Sequence, residues 1–100
     1  MTIRHVVLWK LAAEDEAVRA EHIDRMVSGL SALLGVVPSI RTLAVGPNDA
    51  YPETNADLGL VADFEDLAGL EEYLVHPAHQ EQVAFIRSVV AGRMAVDFEV

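Results

Sequence analysis

The chain has no cysteine, which excludes a disulfide framework, a thiol nucleophile and a thiolate metal site. Basic residues are scarce: 7 Lys+Arg against 16 Asp+Glu give a formal net charge of -9, and no cationic cluster occurs. Phosphate backbones and anionic lipid surfaces both need such a cluster, so nucleic acid and membrane are not expected partners. No apolar run reaches the roughly 18 residues that a membrane-spanning helix requires. The N-terminus has no charged segment followed by a long apolar one, and the expectation is a cytoplasmic protein. A glycine-rich phosphate loop is missing, and Ser28, Ser31, Ser39 and Ser88 lack a nucleophile-elbow context. Hydrolase and nucleotide-binding readings therefore have no support, and no cofactor is expected. Internal repeats and low-complexity segments are also absent.

What is present is apolar. Hydrophobic residues make up 52% of the 100 positions, and the mean hydropathy is +0.27. A chain of this length supports one domain, 1–100, burying roughly 60–70% of the surface of the unfolded chain. So apolar a composition implies surface left over for a partner subunit or a lined pocket, and an oligomer is expected.

Ile3 to Leu11 is β-branched and aromatic enough for a strand, with Ile3, His5, Val7, Trp9 and Leu11 on one face. Arg4, Val6, Leu8 and Lys10 share the other face, so Val6 and Leu8 also need a cover. After an acidic start, Ile23, Met26, Val27, Leu30, Leu33 and Leu34 recur at helical spacing up to Gly35. Val36 to Gly46 suits a second strand, with Pro38 limiting where pairing begins, and Pro47 to Asn55 is turn chemistry. Asp57 to Phe64 alternates as a third strand. Glu65 and Asp66 open a helix with Leu67, Leu70 and Leu74 in a stripe and Tyr73 beside it.

Pro77 disfavours helical geometry at His76, so this helix ends near Val75 and a new one starts at Pro77. Val83, Ile86, Val89 and Val90 place its end near Gly92, and Met94, Val96 and Phe98 alternate through a last strand. The order β-α-β-β-α-(α)-β is that of a ferredoxin-like α+β fold, a four-stranded antiparallel sheet covered by helices on one face. Two such sheets packed bare face to bare face form a dimeric α/β barrel, which would account for the two-sided apolarity of the first strand.

The chemically versatile residues gather around Glu72-Tyr73-Leu74-Val75-His76-Pro77-Ala78-His79. His79 falls in the first turn of its helix, where the positive dipole end disfavours imidazolium and leaves a ring able to take or give a proton. His76, fixed before Pro77, reads as a helix-flanking residue, and His22 as a partly buried or surface one. The spacing of His76 and His79, with His5, Glu72 or Glu81 nearby, invites a metal reading. No zinc-type motif accompanies it, and none is expected. Trp9 and Phe85 suit the core or a pocket wall.

Ile3-Arg4-His5-Val6-Val7-Leu8, Pro38-Ser39-Ile40, Phe64-Glu65-Asp66, Tyr73 to His79 and Val96-Asp97-Phe98 together resemble the stress-responsive dimeric A/B barrel (Dabb) family across essentially the whole chain. That resemblance implies a homodimeric ferredoxin-like barrel in a family that includes plant stress proteins and polyketide cyclases. In such cyclases a strand-one histidine, a helix-two tyrosine and the second histidine of the His-Pro-x-His block line the pocket. His5, Tyr73 and His79 match them. Those enzymes also use a strand-three histidine and a helix-one tyrosine, at whose places this chain carries Leu58 and Leu30.

The expected pocket has Val7, Trp9, Leu30, Leu58 and Leu60 as apolar walls and takes a small apolar, carbonyl-bearing ligand. His79 would act as base, and Tyr73 as its orienting partner or as the donor to a developing enolate, in a ring closure like that of a polyketide cyclase. His5 would stand on the pocket floor. Two alternatives stay open: a non-catalytic stress-responsive oligomer whose histidines bond to each other or to backbone, and a cofactor-free monooxygenase-like barrel.

Overall fold

The computed structural model describes residues 1–100. In chain order it comprises β1 (Ile3–Leu11), α1 (Glu16–Ser31) running into a 3₁₀ turn (Ala32–Gly35), β2 (Ile40–Pro47), β3 (Leu58–Phe64), α2 (Leu67–Val75), α3 (Pro77–Val89) and β4 (Val90–Glu99). The strands form one sheet in the order β2-β3-β1-β4, and every neighbouring pair is antiparallel. This is the ferredoxin-like arrangement expected of the element order, with the helices on one face.

β1 lies between β3 and β4, and its alternation sets both registers. His5 stands opposite Ala62 on one side and Asp97 on the other. Ile3, His5, Val7, Trp9 and Leu11 are all buried, together with Leu58, Leu60, Ala62 and Phe64 of β3. Met26, Leu30 and Leu33 close the core from the first helix, and Leu70 and Tyr73 from the second. Asp15 caps α1 by accepting the Val18 N–H at 3.0 Å, and Asp66 caps α2 through the Gly69 N–H at 2.8 Å.

The opposite face of the sheet is bare. Leu8, Val61, Met94, Val96 and Phe98 are exposed there, Met94 to 74%. Arg4 and Asp63 face each other across β1 and β3 on this side, joined by two bonds of 2.9 and 3.0 Å. The pairing to Arg4 holds the Asp63 carboxyl below the usual carboxylate range.

Two boundaries and two side-chain placements differ from those expected. β2 starts at Ile40 rather than Val36, because the Val36 and Val37 N–H groups both turn back to the Leu33 carbonyl and Pro38 has no N–H for a ladder. The switch to 3₁₀ geometry at Ala32 changes the angular step per residue, and Leu34 consequently points outward, 46% exposed. In α2 the buried positions are Leu70 and Tyr73, while Leu67 is exposed in the first turn. The last helix stops at Val89 rather than near Gly92. The chain passes straight from helix to strand there, the Ala12 N–H holds the Val89 carbonyl at 2.9 Å, and Gly92 pairs with Lys10 inside β4.

Phe64 is fully buried, with its ring 5.1 Å from that of Tyr73. Replacing it with alanine should cost about 3–5 kcal/mol of unfolding free energy, read from urea denaturation curves. A loss below about 1 kcal/mol would mean that the core closes over the vacated volume.

Candidate functional site

The junction of α2 and α3 builds the site. His76 ends one helix and caps the next: its backbone N–H bonds to the Tyr73 carbonyl at 3.2 Å, and its Nδ1 accepts the Ala78 N–H at 3.1 Å. It is thus a capping residue, as its position before Pro77 suggested. The break leaves the Leu74 carbonyl, in the last turn of α2, without a helical partner. Two side chains from the first turn of α3 fill that need, His79 donating from Nδ1 at 3.1 Å and Gln80 from Nε2. A carbonyl only accepts, so Nδ1 of His79 carries the proton and the neutral ring keeps its lone pair on Nε2.

Between the sheet and these helices lies a cavity of about 320 Å³. Its polar lining is His5, Tyr73, His79, Gln80, Arg87 and Arg93. The apolar lining includes Val7, Trp9, Leu30, Leu60, Leu74, Val83, Ile86 and Val90. The structure thus brings together His5, Tyr73 and His79 with Val7, Trp9, Leu30 and Leu60. Leu58 is placed elsewhere: it pairs with Trp9 on the side away from β4, whereas the cavity at that level extends from Trp9 toward Arg93 of β4, and the Leu58 side chain packs in the core outside it. Phe85 is also outside, under the Arg25 guanidinium at 3.9 Å.

The Tyr73 ring stands between the two imidazoles, its centroid 4.2 Å from that of His79 and 6.0 Å from that of His5. Its ring is tilted 44° against that of His79, which the Leu74 carbonyl, not Tyr73, orients through a hydrogen bond. Burial pushes the Tyr73 hydroxyl up to about 12, against an opposing pull from the Arg93 charge, so at neutral pH it keeps its proton and can donate. His79 is shifted below its ordinary value of 6.5. Burial is the first cause, the charges of His5, Arg93 and His76 add to it, and the Leu74 carbonyl works against it. The ring is therefore neutral near pH 7, as expected, with burial as the main cause.

His5 has a partner that went unassigned in the sequence. Its Nδ1 donates to the Asp97 carboxylate at 2.5 Å. The alternation of Met94, Val96 and Phe98 carried the signal, because it puts Asp97 on the opposite face, beside His5. Arg93 shares that face opposite Trp9 and was hidden by the helix end expected near Gly92. No group of three or more His, Asp or Glu side chains is arranged to hold a metal ion, and no helix is long and apolar enough to cross a membrane.

A four-stranded antiparallel sheet with helices on one face, a bare second face and a cavity between layers defines a ferredoxin-like α+β protein. The model of the stress responsive A/B barrel domain (Dabb) matches residues 3–100, and the chain belongs to that family. Among solved structures, a dimeric ferredoxin-like protein of unknown function from Thermobifida fusca is 29% identical, covering 100% of this chain and 92% of that one, with a TM-score of 0.86. A dimeric protein of unknown function from Bacteroides fragilis, 24% identical over 99% of this chain and 96% of that one, has a TM-score of 0.91. The hydroxynitrile lyase of Passiflora edulis shares the fold at 13% identity, with a TM-score of 0.82 over 99% of this chain and 93% of that one. No curated protein matches the chain.

Because folding depresses the His79 pKa, its contribution to stability is present above the ordinary value of 6.5 and is lost as pH falls below it. Unfolding free energy should therefore fall more steeply on acidification in the native chain than in His79→Gln. An NMR titration should place the His79 midpoint below 6.5; a midpoint above it would contradict this electrostatic account.

Proposed function

We propose that the protein acts as a homodimer in which each subunit binds a small apolar, carbonyl-bearing molecule in its cavity and moves a proton on it. The observation that carries this reading is the open cavity of about 320 Å³, walled by apolar side chains and lined by His5, Tyr73 and His79. Its volume lies at the small end of the range of ligand sites, roughly 300–1,000 Å³. A purely structural role called for histidines bonded to each other or to backbone; here His79 does bond backbone, but His5 bonds the Asp97 carboxylate, and both rings line the same cavity.

The chemistry is general acid–base. Nε2 of neutral His79 removes a proton from the carbon beside the carbonyl, and the electron pair moves onto the oxygen. The Tyr73 hydroxyl donates a hydrogen bond to that enolate oxygen. The enolate carbon then attacks a second carbonyl, closing a ring as in polyketide cyclisation, and the imidazolium returns its proton to the new alkoxide. Apolar walls strengthen each of these interactions by excluding water. His5, held through Nδ1 by Asp97, supplies a second oriented imidazole. That the same fold serves a lyase in the Passiflora edulis protein is consistent with bond-making and bond-breaking chemistry on this scaffold.

The homodimer rests on the bare sheet face and on the description of the Thermobifida fusca and Bacteroides fragilis relatives as dimeric. Sedimentation should report twice the chain mass of 10.9 kDa, and Val96→Glu on the bare face should shift the population to monomer. A native monomer at micromolar concentration would rule this packing out.

For the chemistry, deuterium exchange at the central carbon of an alkyl-substituted β-diketone in D₂O should be accelerated by the native protein. His79→Ala should reduce that acceleration by about 10²–10⁴-fold and Tyr73→Phe by a smaller factor. Equal exchange with native protein and His79→Ala would sink the assignment of His79 as base.

A further inference from the structure

The lining of the cavity is unusual in charge for so acidic a chain. No Asp or Glu lines it, whereas two of the seven basic residues, Arg87 and Arg93, do. The other cations are engaged elsewhere. Arg4 and Lys10 pair with Asp63 and Asp57, Arg19 donates to the Ala13 and Glu14 carbonyls, and Arg25 covers Phe85. Arg41 stands among Glu65, Asp66 and Glu72. Arg87 and Arg93 take part in no ion pair. Both are exposed, on the two walls of the same opening, one on α3 and one on β4 opposite Trp9.

We infer that the cavity selects an anionic ligand, an apolar body carrying a carboxylate, with Arg93 as the main contact of the head group and Arg87 as a second cation beside it. This rests on the reading of the cavity as a small-molecule site and adds the class of molecule. A guanidinium offers paired N–H donors that match a carboxylate in two parallel bonds, and unpaired arginines need no existing partner displaced before they bind one. With the head group at the exposed arginines, the apolar body lies along Val7, Leu30 and Leu60 and brings a carbonyl on it to Tyr73 and His79. The Arg93 charge acts on both Tyr73 and His79, so its field extends across the polar part of the cavity. A keto acid is the simplest compound satisfying both ends.

The test is calorimetric titration of the native chain, Arg93→Gln and Arg87→Gln with octanoate and, separately, with octanol. Octanoate should bind the native protein more tightly than octanol does, and more weakly as salt is raised. Arg93→Gln should weaken octanoate on the order of ten-fold or more, Arg87→Gln less, with octanol affected far less by either. Equal binding of the two probes, unmoved by Arg93→Gln, would overturn the anionic selectivity and leave the small-molecule site standing. Binding of neither probe would overturn both.

Discussion

The structure depends on the burial of one face of β1 while that strand pairs on both sides. A strand alternates its side chains with a period of two, so slipping either ladder by one residue would send His5, Val7 and Trp9 to the bare face and Arg4 and Lys10 into the core. Burying those charges without partners costs far more than any local preference could supply. The register of β3 and β4 against β1 is therefore strongly specified. His5 lies beneath Tyr73, and beside Asp97, for that reason.

The polar groups of the cavity come from two different physical sources. The sheet supplies His5 and Arg93, with Asp97 as the partner that holds His5, by cross-strand register, a tertiary constraint. The helical junction supplies His79 and Gln80 by a local one: a proline breaks the helix, a carbonyl loses its partner, and the next turn provides it. Each histidine is tied through Nδ1, one to a carboxylate and the other to a backbone oxygen. Tyr73 stands between them, buried at its ring, with a hydroxyl that holds its proton. Two imidazoles each oriented through Nδ1 and one phenol with a retained proton make a site whose polar groups are positioned before any ligand enters.

Much of this was legible in the residues because it follows from periodicity. The faces of β1 and β3, the stripe of α1 and the break at His76-Pro77 all come from spacing or from proline stereochemistry, which act locally. The gathering of His5, Tyr73 and His79 came instead through the family resemblance, since residues so far apart in sequence meet only through topology. Boundaries were less legible. Gly92 suggested a helix end, yet it sits in a strand, because two β-branched valines, Val89 and Val90, allow the chain to change from one geometry to the other without a loop. That one displacement kept Arg93 unassigned to a face. The location of Leu58 was missed for a related reason: alternation gives the side of the sheet on which a residue lies and not the neighbouring strand toward which a cavity extends.

The distribution of charge over the sheet has a further consequence. Of the 16 acidic residues, only Asp63 within β3 lies on the bare face, where Arg4 neutralises it through two bonds, and Asp57 at the edge of that face pairs with Lys10. The negative charge is thus carried almost wholly by helices, loops and strand edges. Added electrolyte damps repulsion between those surfaces and has little to act on at the sheet face. The molecule is electrically two-sided, with one hemisphere whose encounters depend on ionic strength and one whose encounters depend mainly on apolar contact.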